Sequence, residues 1–194
     1  MAIEPASEPY SASPRAHRGH RWGSDLIFFA IAAGIVVSDQ VTKALIRSNL
    51  SYGEVWPEDG AIITIFGIPL RFIYVTNSGA AFGILQGQTT FLLVTGLVGL
   101  AAILLYYIYP PMDHGLIKVA LGMQLGGAIG NLIDRLRFSA VTDWVDFGGF
   151  PTFNIADAAI SISIATVLIF FITQDIEPRR HKPPDPAHAP ARED

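Results

Sequence analysis

Four long apolar stretches, parted by polar or broken segments, set the pattern of the chain. The first is "SDLIFFAIAAGIVVSDQVTKALI" (24–46), and the second, "TTFLLVTGLVGLAAILLYYIY" (89–109), holds no charge at all. The third is "GLIKVALGMQLGGAIGNLI" (115–133), and the fourth, "IADAAISISIATVLIFFIT" (155–173), has the single charge Asp157. A bilayer span needs about 20 mostly apolar residues. A buried core explains one such run but not four, so the pattern predicts an all-α membrane protein with four transmembrane helices. Between the first two spans, "AIITIFGIPLRFIYVT" (61–76) is rich in β-branched and aromatic residues and is broken by Gly67 and Pro69. It predicts a small extramembrane β-hairpin between helices 1 and 2, resting on the membrane surface or on the spans.

The two ends differ from this pattern. Residues 1–23 and 176–194 are polar and proline-rich and predict disordered tails around a four-span unit at 24–175. A cleavable signal peptide is disfavoured, because Asp39 and Lys43 interrupt the far end of the first run and no small-residue cleavage site follows. Composition agrees with a lipid setting: 51% of the 194 residues are hydrophobic, 15% are charged and the mean hydropathy is +0.40, against about 25% charged in soluble domains. The net charge of -4 and the absence of a basic stripe argue against nucleic acid as a partner. There is no cysteine, so thiolate chemistry is excluded. The five histidines, at 17, 20, 114, 181 and 188, lie away from the acidic cluster, which disfavours a Ser-His-Asp triad or a histidine metal site. Eight Lys and Arg residues fall on the side of the two tails and five on the other. The bias places both termini in the cytoplasm and the acid-rich connection outside.

Polar residues inside the apolar runs carry the candidate chemistry. Gly122, Gly126 and Gly130 put small side chains on one face of the third span, where another helix can approach closely. Asp39 and Lys43 are four apart and predict a salt bridge near the interface. Asn131, Asp134 and Arg135 close the third span, where Asp134 and Arg135 read as a scaffold pair. Asn154 is the natural cap of the fourth span. Asp157, an acid just inside that span, then needs a further reason and is a functional candidate. Asp143 and Asp146 lie in an apparent loop before it, and the "GGFP" turn (148–151) can fold that connection back. Either aspartate is then able to meet Asp157. Two close carboxylates share a proton, one activating water and the other binding a carbonyl oxygen, which is the logic of an aspartic peptidase with no cofactor or metal.

At these residues the chain resembles the bacterial lipoprotein signal peptidases, also called signal peptidase II. "SDQVTK", "TNSGAAFG", "GGAIGNLIDR", "VTDWVDF" and "FNIADAAI" occur in that order across most of residues 24–175. The resemblance implies a catalytic dyad of Asp143 and Asp157, with Trp144 standing where the family more often has Phe. It implies supporting roles for Asp39, Lys43, Asn77, Gly79, Asn131, Asp134, Arg135 and Asn154, and makes Asp146 secondary. It also implies a diacylglyceryl-modified prolipoprotein as substrate, cut just before the lipid-bearing cysteine. The 61–76 hairpin then serves as an extramembrane cradle, and the protein is a monomer in the lipid of the bacterial inner membrane, with its site near the outer face.

Three other readings remain at this stage. A proton or ion pathway through Asp39, Asp134 and Asp157 calls for acids spread through the membrane depth, whereas these cluster at one side. A metal-dependent phospholipid-head transferase calls for acids at repeated helical spacing, and only Asp143 and Asp146 are three apart. A structural subunit pairs its acids with Arg135 and Arg137.

Overall fold

The computed structural model describes residues 22–60, 62–80, 84–110 and 114–176. Four helices, α1 (Trp22–Asn49), α2 (Thr89–Ile108), α3 (Gly115–Phe138) and α4 (Ile155–Ile176), are each long and apolar enough to cross a membrane. Trp22 and Gly23, expected in the N-terminal tail, already belong to α1, and Ile176 ends α4. The rest of both expected tails lies outside the described residues.

α3 is the centre of the bundle. Half of its span is buried, against 6% of the α2 span, because its glycines let two helices come close. A Cβ on Gly122 would lie 2.9 Å from the Phe28 carbonyl oxygen, and one on Gly126 would lie 2.6 Å from that of Ala32. On the other face, a Cβ on Gly127 would stand 2.5 Å from the Ala156 carbonyl oxygen. α1 and α4 thus pack on α3 backbone to backbone, where dispersion rather than water drives association. α2 packs on α3 and leaves most of its surface uncovered by the rest of the protein. At one end of the bundle the start of α1, the end of α2, the start of α3 and the end of α4 share an apolar cluster of Phe28, Ile103, Ile117, Leu121 and Phe170. Both ends of the described chain lie there.

A four-stranded antiparallel sheet covers the opposite end. Its long central strand is β3 (Ile68–Asn77). β2 (Ile63–Ile65) and β1 (Val55–Trp56) follow each other along one edge of β3. The expected hairpin is β2–β3, turning at Phe66 (φ 50) and Gly67 (φ 81), the pair of left-handed residues that a tight hairpin with right-handed twist requires. Pro69 does not break the hairpin; it sits within β3 opposite Thr64.

The other edge of β3 is taken by β4 (Val141–Phe147), which comes from the connection between α3 and α4. The segment expected as a loop around Asp143 and Asp146 is therefore a strand. Its pairing has a bulge: Phe72 faces Val145 and Val75 faces Asp143, so β3 spends one more residue than β4 between those pairs. The turn after β4 folds back as expected, with Phe150 N–H donating to Phe147 O and Phe153 bridging to Val145.

The close approach predicts a contrast between two glycines. Gly126→Val should lower stability in detergent by roughly 1–3 kcal/mol, the usual range for overpacking. Gly99→Ala, where the added Cβ meets nothing within 4 Å, should be neutral or stabilising by up to about 1 kcal/mol. Thermal unfolding of both purified variants checks this, and equal losses would disprove the glycine-mediated contact.

Candidate active site

The polar residues of α1, α3, β4 and α4 gather at the sheet end of the bundle. Lys43 is wholly buried. Its ammonium lies 2.8 Å from Asp39 Oδ2 and 3.4 Å from Asp134 Oδ2, and donates to Asn131 Oδ1 at 3.0 Å. The expected Asp39–Lys43 salt bridge is present, buried at the sheet end of the bundle. The expected Asp134–Arg135 pair does not form as read. Neighbours on a helix point in different directions, and Asp134 turns to Lys43 and to Arg47, whose Nη1 is 3.6 Å away. Arg135 instead donates to the Gly79 carbonyl oxygen at 3.2 Å.

These ions tie the framework to the segments that bear the candidate carboxylates. Asp39 Oδ1 accepts from the Ala156 N–H at the first turn of α4 (3.0 Å), and Asp134 Oδ2 accepts from the Thr142 N–H in β4 (2.9 Å). Asn154 caps α4 as expected: its Oδ1 accepts from the Asp157 N–H at 2.9 Å, while its own N–H faces Asp157 Oδ2 at 3.4 Å. This is a reciprocal capping box. The Asn154 amide also donates to Asp143 Oδ1 at 2.7 Å and to the Thr142 carbonyl oxygen at 3.3 Å. One buried side chain therefore joins both aspartates. On the far side of Asp157, Asn131 Nδ2 donates to its Oδ1 at 2.7 Å.

Strand geometry separates Asp143 from Asp146. Residues three apart on a strand point to opposite faces. Asp146 lies across from Arg71 and accepts from its Nε at 3.0 Å and its Nη2 at 2.6 Å. Asp143 points the other way, into the bundle, and is 2% exposed. The bulge in β3 puts Asn77 on that same face, where it hydrogen-bonds Asp143. Bulges beside functional sites commonly re-aim side chains in this manner. Burial pushes the Asp143 carboxyl up to about 7, and the charge of Asp157 adds to the rise. Hydrogen bonds from Asn154 and Asn77 and the charge of Lys43 oppose it.

Asp143 and Asp157 line one cavity of about 1160 Å³, between the sheet and the start of α4. Asn77, Gly79 and Arg135 line it too, as do apolar Phe150 and Ile162. Gly79 has no room for a side chain, since a Cβ there would meet the Ile84 carbonyl oxygen at 2.6 Å. The structure thus brings together Asp143, Asp157, Asn77, Gly79, Asn131, Arg135 and Asn154, with Asp39, Lys43 and Asp134 behind them. Residues 81–83 of the "TNSGAAFG" block lie outside the described residues. Three further members are not apparent from the sequence: Gln40, whose amide donates to Asp39 and Asp134, Arg47 and Thr142. Arg47 had a signal, standing four residues after Lys43 on one face of α1; Thr142 had none, because its partners depend on strand register.

Four long apolar helices, with two carboxylates on the wall of one cavity at their sheet end, are the frame of a multi-pass membrane enzyme. Residues 31–173 match the family model described as Signal peptidase (SPase) II. The chain belongs to this family of aspartic peptidases. It is 38% identical over 152 residues to the lipoprotein signal peptidase of Dehalococcoides mccartyi, covering 76% of this chain and 90% of that one. To that of Moorella thermoacetica it is 41% identical, covering 71% and 87%; to that of Shouchella clausii it is 37% identical, covering 78% and 97%. It is also similar to a bacterial membrane enzyme solved by the in meso method at 2.3 Å resolution, with TM-score 0.71, 29% identity and coverage of 83% of this chain and 94% of that one.

The raised Asp143 has a consequence for stability. A carboxyl lifted from 3.8 to about 7 on folding binds its proton more tightly in the folded state. Stability from this group is therefore full below about pH 4 and is lost as pH rises towards 7. Asp143→Asn removes the titration but keeps an oxygen for Asn154. The variant should gain stability over wild type steadily between pH 4 and 7 and hold that gain above. Melting temperatures in detergent across this range measure it, and a constant difference would contradict the burial effect.

Proposed function

We propose that this protein removes the signal peptide from diacylglyceryl-modified prolipoproteins at the outer face of a bacterial inner membrane, with Asp143 and Asp157 as its catalytic dyad. The observation that carries the reading is Asn154, which from behind the cavity donates to Asp143 and accepts from the Asp157 N–H, joining two aspartates that line one cavity. Asp143, raised to about 7, holds the shared proton and donates a hydrogen bond to the scissile carbonyl oxygen. Asp157 takes a proton from a water molecule, whose oxygen attacks the carbonyl carbon. The tetrahedral intermediate collapses as the leaving amine of the modified cysteine takes the proton from Asp157, breaking the C–N bond. No metal or cofactor enters this cycle.

The substrate reading rests on the names of the relatives and on the lining of the cavity. Small-molecule pockets span about 300–1,000 Å³, and this cavity is larger, with polar Asn77 and Arg135 beside apolar Phe150 and Ile162. Such a lining suits an extended peptide that carries acyl chains. The sheet lies opposite both ends of the described chain, so cytoplasmic termini, favoured by the Lys and Arg bias, put the dyad at the outer boundary. The enzyme acts as a monomer, with the sheet as the cradle for the substrate.

Cleavage of a diacylglyceryl-modified prolipoprotein by purified enzyme tests the dyad. Asp143→Asn and Asp157→Asn should each lower kcat by about 10³-fold or more, in the range of general acid–base contributions, with no effect of chelator. Wild-type kcat/KM should fall as pH rises past about 7, where Asp143 loses its proton. Full activity in either folded variant, or a rate that climbs through pH 8, would overturn the assignment.

A further inference from the structure

We infer that Arg47 and Thr142 are positioning residues for Asp143: the end of α1 grips the hydroxyl of the residue before it. The inference rests on the reading of Asp143 as catalytic. Thr142 is 2% exposed, and three elements hold its polar atoms. Its N–H donates to Asp134 of α3 at 2.9 Å. Its carbonyl oxygen accepts from Asn154, the cap of α4, at 3.3 Å. Its hydroxyl oxygen accepts from Arg47 Nη1 of α1 at 2.8 Å.

The strand ladder explains why such a grip is needed. The β3–β4 pairing is irregular between Phe72↔Val145 and Val75↔Asp143, and a bulge leaves one residue unpaired and the strand bent. The extra residue is on β3, and Thr142 lies opposite Thr76 with its own N–H and carbonyl turned to Asp134 and Asn154. Side chains as well as the ladder therefore set the backbone beside Asp143. Consecutive Cα atoms are only about 3.8 Å apart, so fixing Thr142 at three points fixes the root of the Asp143 side chain. Arg47 suits this task. Its guanidinium reaches Asp134 Oδ1 at 3.6 Å as well as the Thr142 hydroxyl, and lies 4.6 Å over the Phe138 ring. An ordinary cation at a helix end points to solvent; the side chain of this one is 18% exposed and serves β4.

The test is a kinetic series on prolipoprotein cleavage by the purified full-length enzyme, alongside Asp143→Asn. Thr142→Val keeps the shape and removes the hydroxyl; Thr142→Ser keeps the hydroxyl. Thr142→Val and Arg47→Met should each lower kcat about tenfold with KM within about twofold, since small misplacements of a reacting group cost up to about 10²-fold. Thr142→Ser should keep kcat within about threefold of wild type. The double variant should be no slower than the slower single one, because both remove the same contact. Wild-type kcat in Thr142→Val, equal loss in Thr142→Ser, or a rise in KM alone would overturn the inference while leaving the dyad intact. Should Thr142→Val not fold, Arg47→Met decides by the same criteria. An active Asp143→Asn would instead overturn the dyad and this inference with it.

Discussion

A lysine with no exposure to water is the constraint from which the rest of the structure follows. Burying an unpaired cation costs several kcal/mol, and Lys43 avoids that cost through Asp39, Asp134 and Asn131. Those partners reach it only if α1 and α3 lie close together, and the glycine face of α3 allows this: a Cβ on Gly130 would lie 2.6 Å from Asp39 Oδ2. Each carboxylate then has a second task. Asp39 meets a free N–H in the first turn of α4 and Asp134 meets that of Thr142. The ion cluster thereby sets where α4 begins and where β4 leaves α3. Removing either acid would leave Lys43 short of charge and free one of the two segments that carry Asp143 and Asp157.

The four acids of the connection have different fates, for local reasons. Asp134 is the last acid on α3 and faces the cations of α1. Asp146 lies directly opposite Arg71 on the neighbouring strand, where a cross-strand ion pair is at its closest. Asp143, three residues earlier, is turned inward by the strand period. It meets amides from Asn77 and Asn154 and, among the described residues, no cation within salt-bridge distance. Asp157, at the third position of α4, sits where its backbone N–H is one of the free donors of a helix start. The acids satisfied by cations belong to the framework. The two held mainly by neutral amides are the ones that line the cavity.

The four spans were legible in the sequence because a bilayer requires length and apolarity, and both are visible without tertiary knowledge. The Asp39–Lys43 pair, the Asn154 cap and the close-packing glycines were legible too, since each depends on spacing within one helix. β4 was not. "VTDWVDF" alternates too little to stand out as a strand, and its pairing partner β3 lies some 70 residues earlier. With the strand unseen, the opposite facing of Asp143 and Asp146 stayed hidden, and residue spacing left both as candidates. The partners of Asp134 were likewise out of reach, because Arg47 meets it only once α1 and α3 are packed. Resemblance to a known family selected Asp143; the strand period supplies the physical reason for that choice.

One aspartate belongs to the sheet and the other to the bundle, and this division has a mechanical side. Asn154 spans that division. Its oxygen is committed to the α4 backbone and its amide nitrogen to Asp143 and the Thr142 carbonyl. Any displacement of β4 away from α4 must stretch those amide bonds, and any fraying of α4 must give up the cap. Asn154 is therefore one of the side chains that hold the two carboxylates relative to each other. Asn131 and Lys43 brace the Asp157 side from behind, and Arg135 ties α3 to the Gly79 backbone just beyond β3.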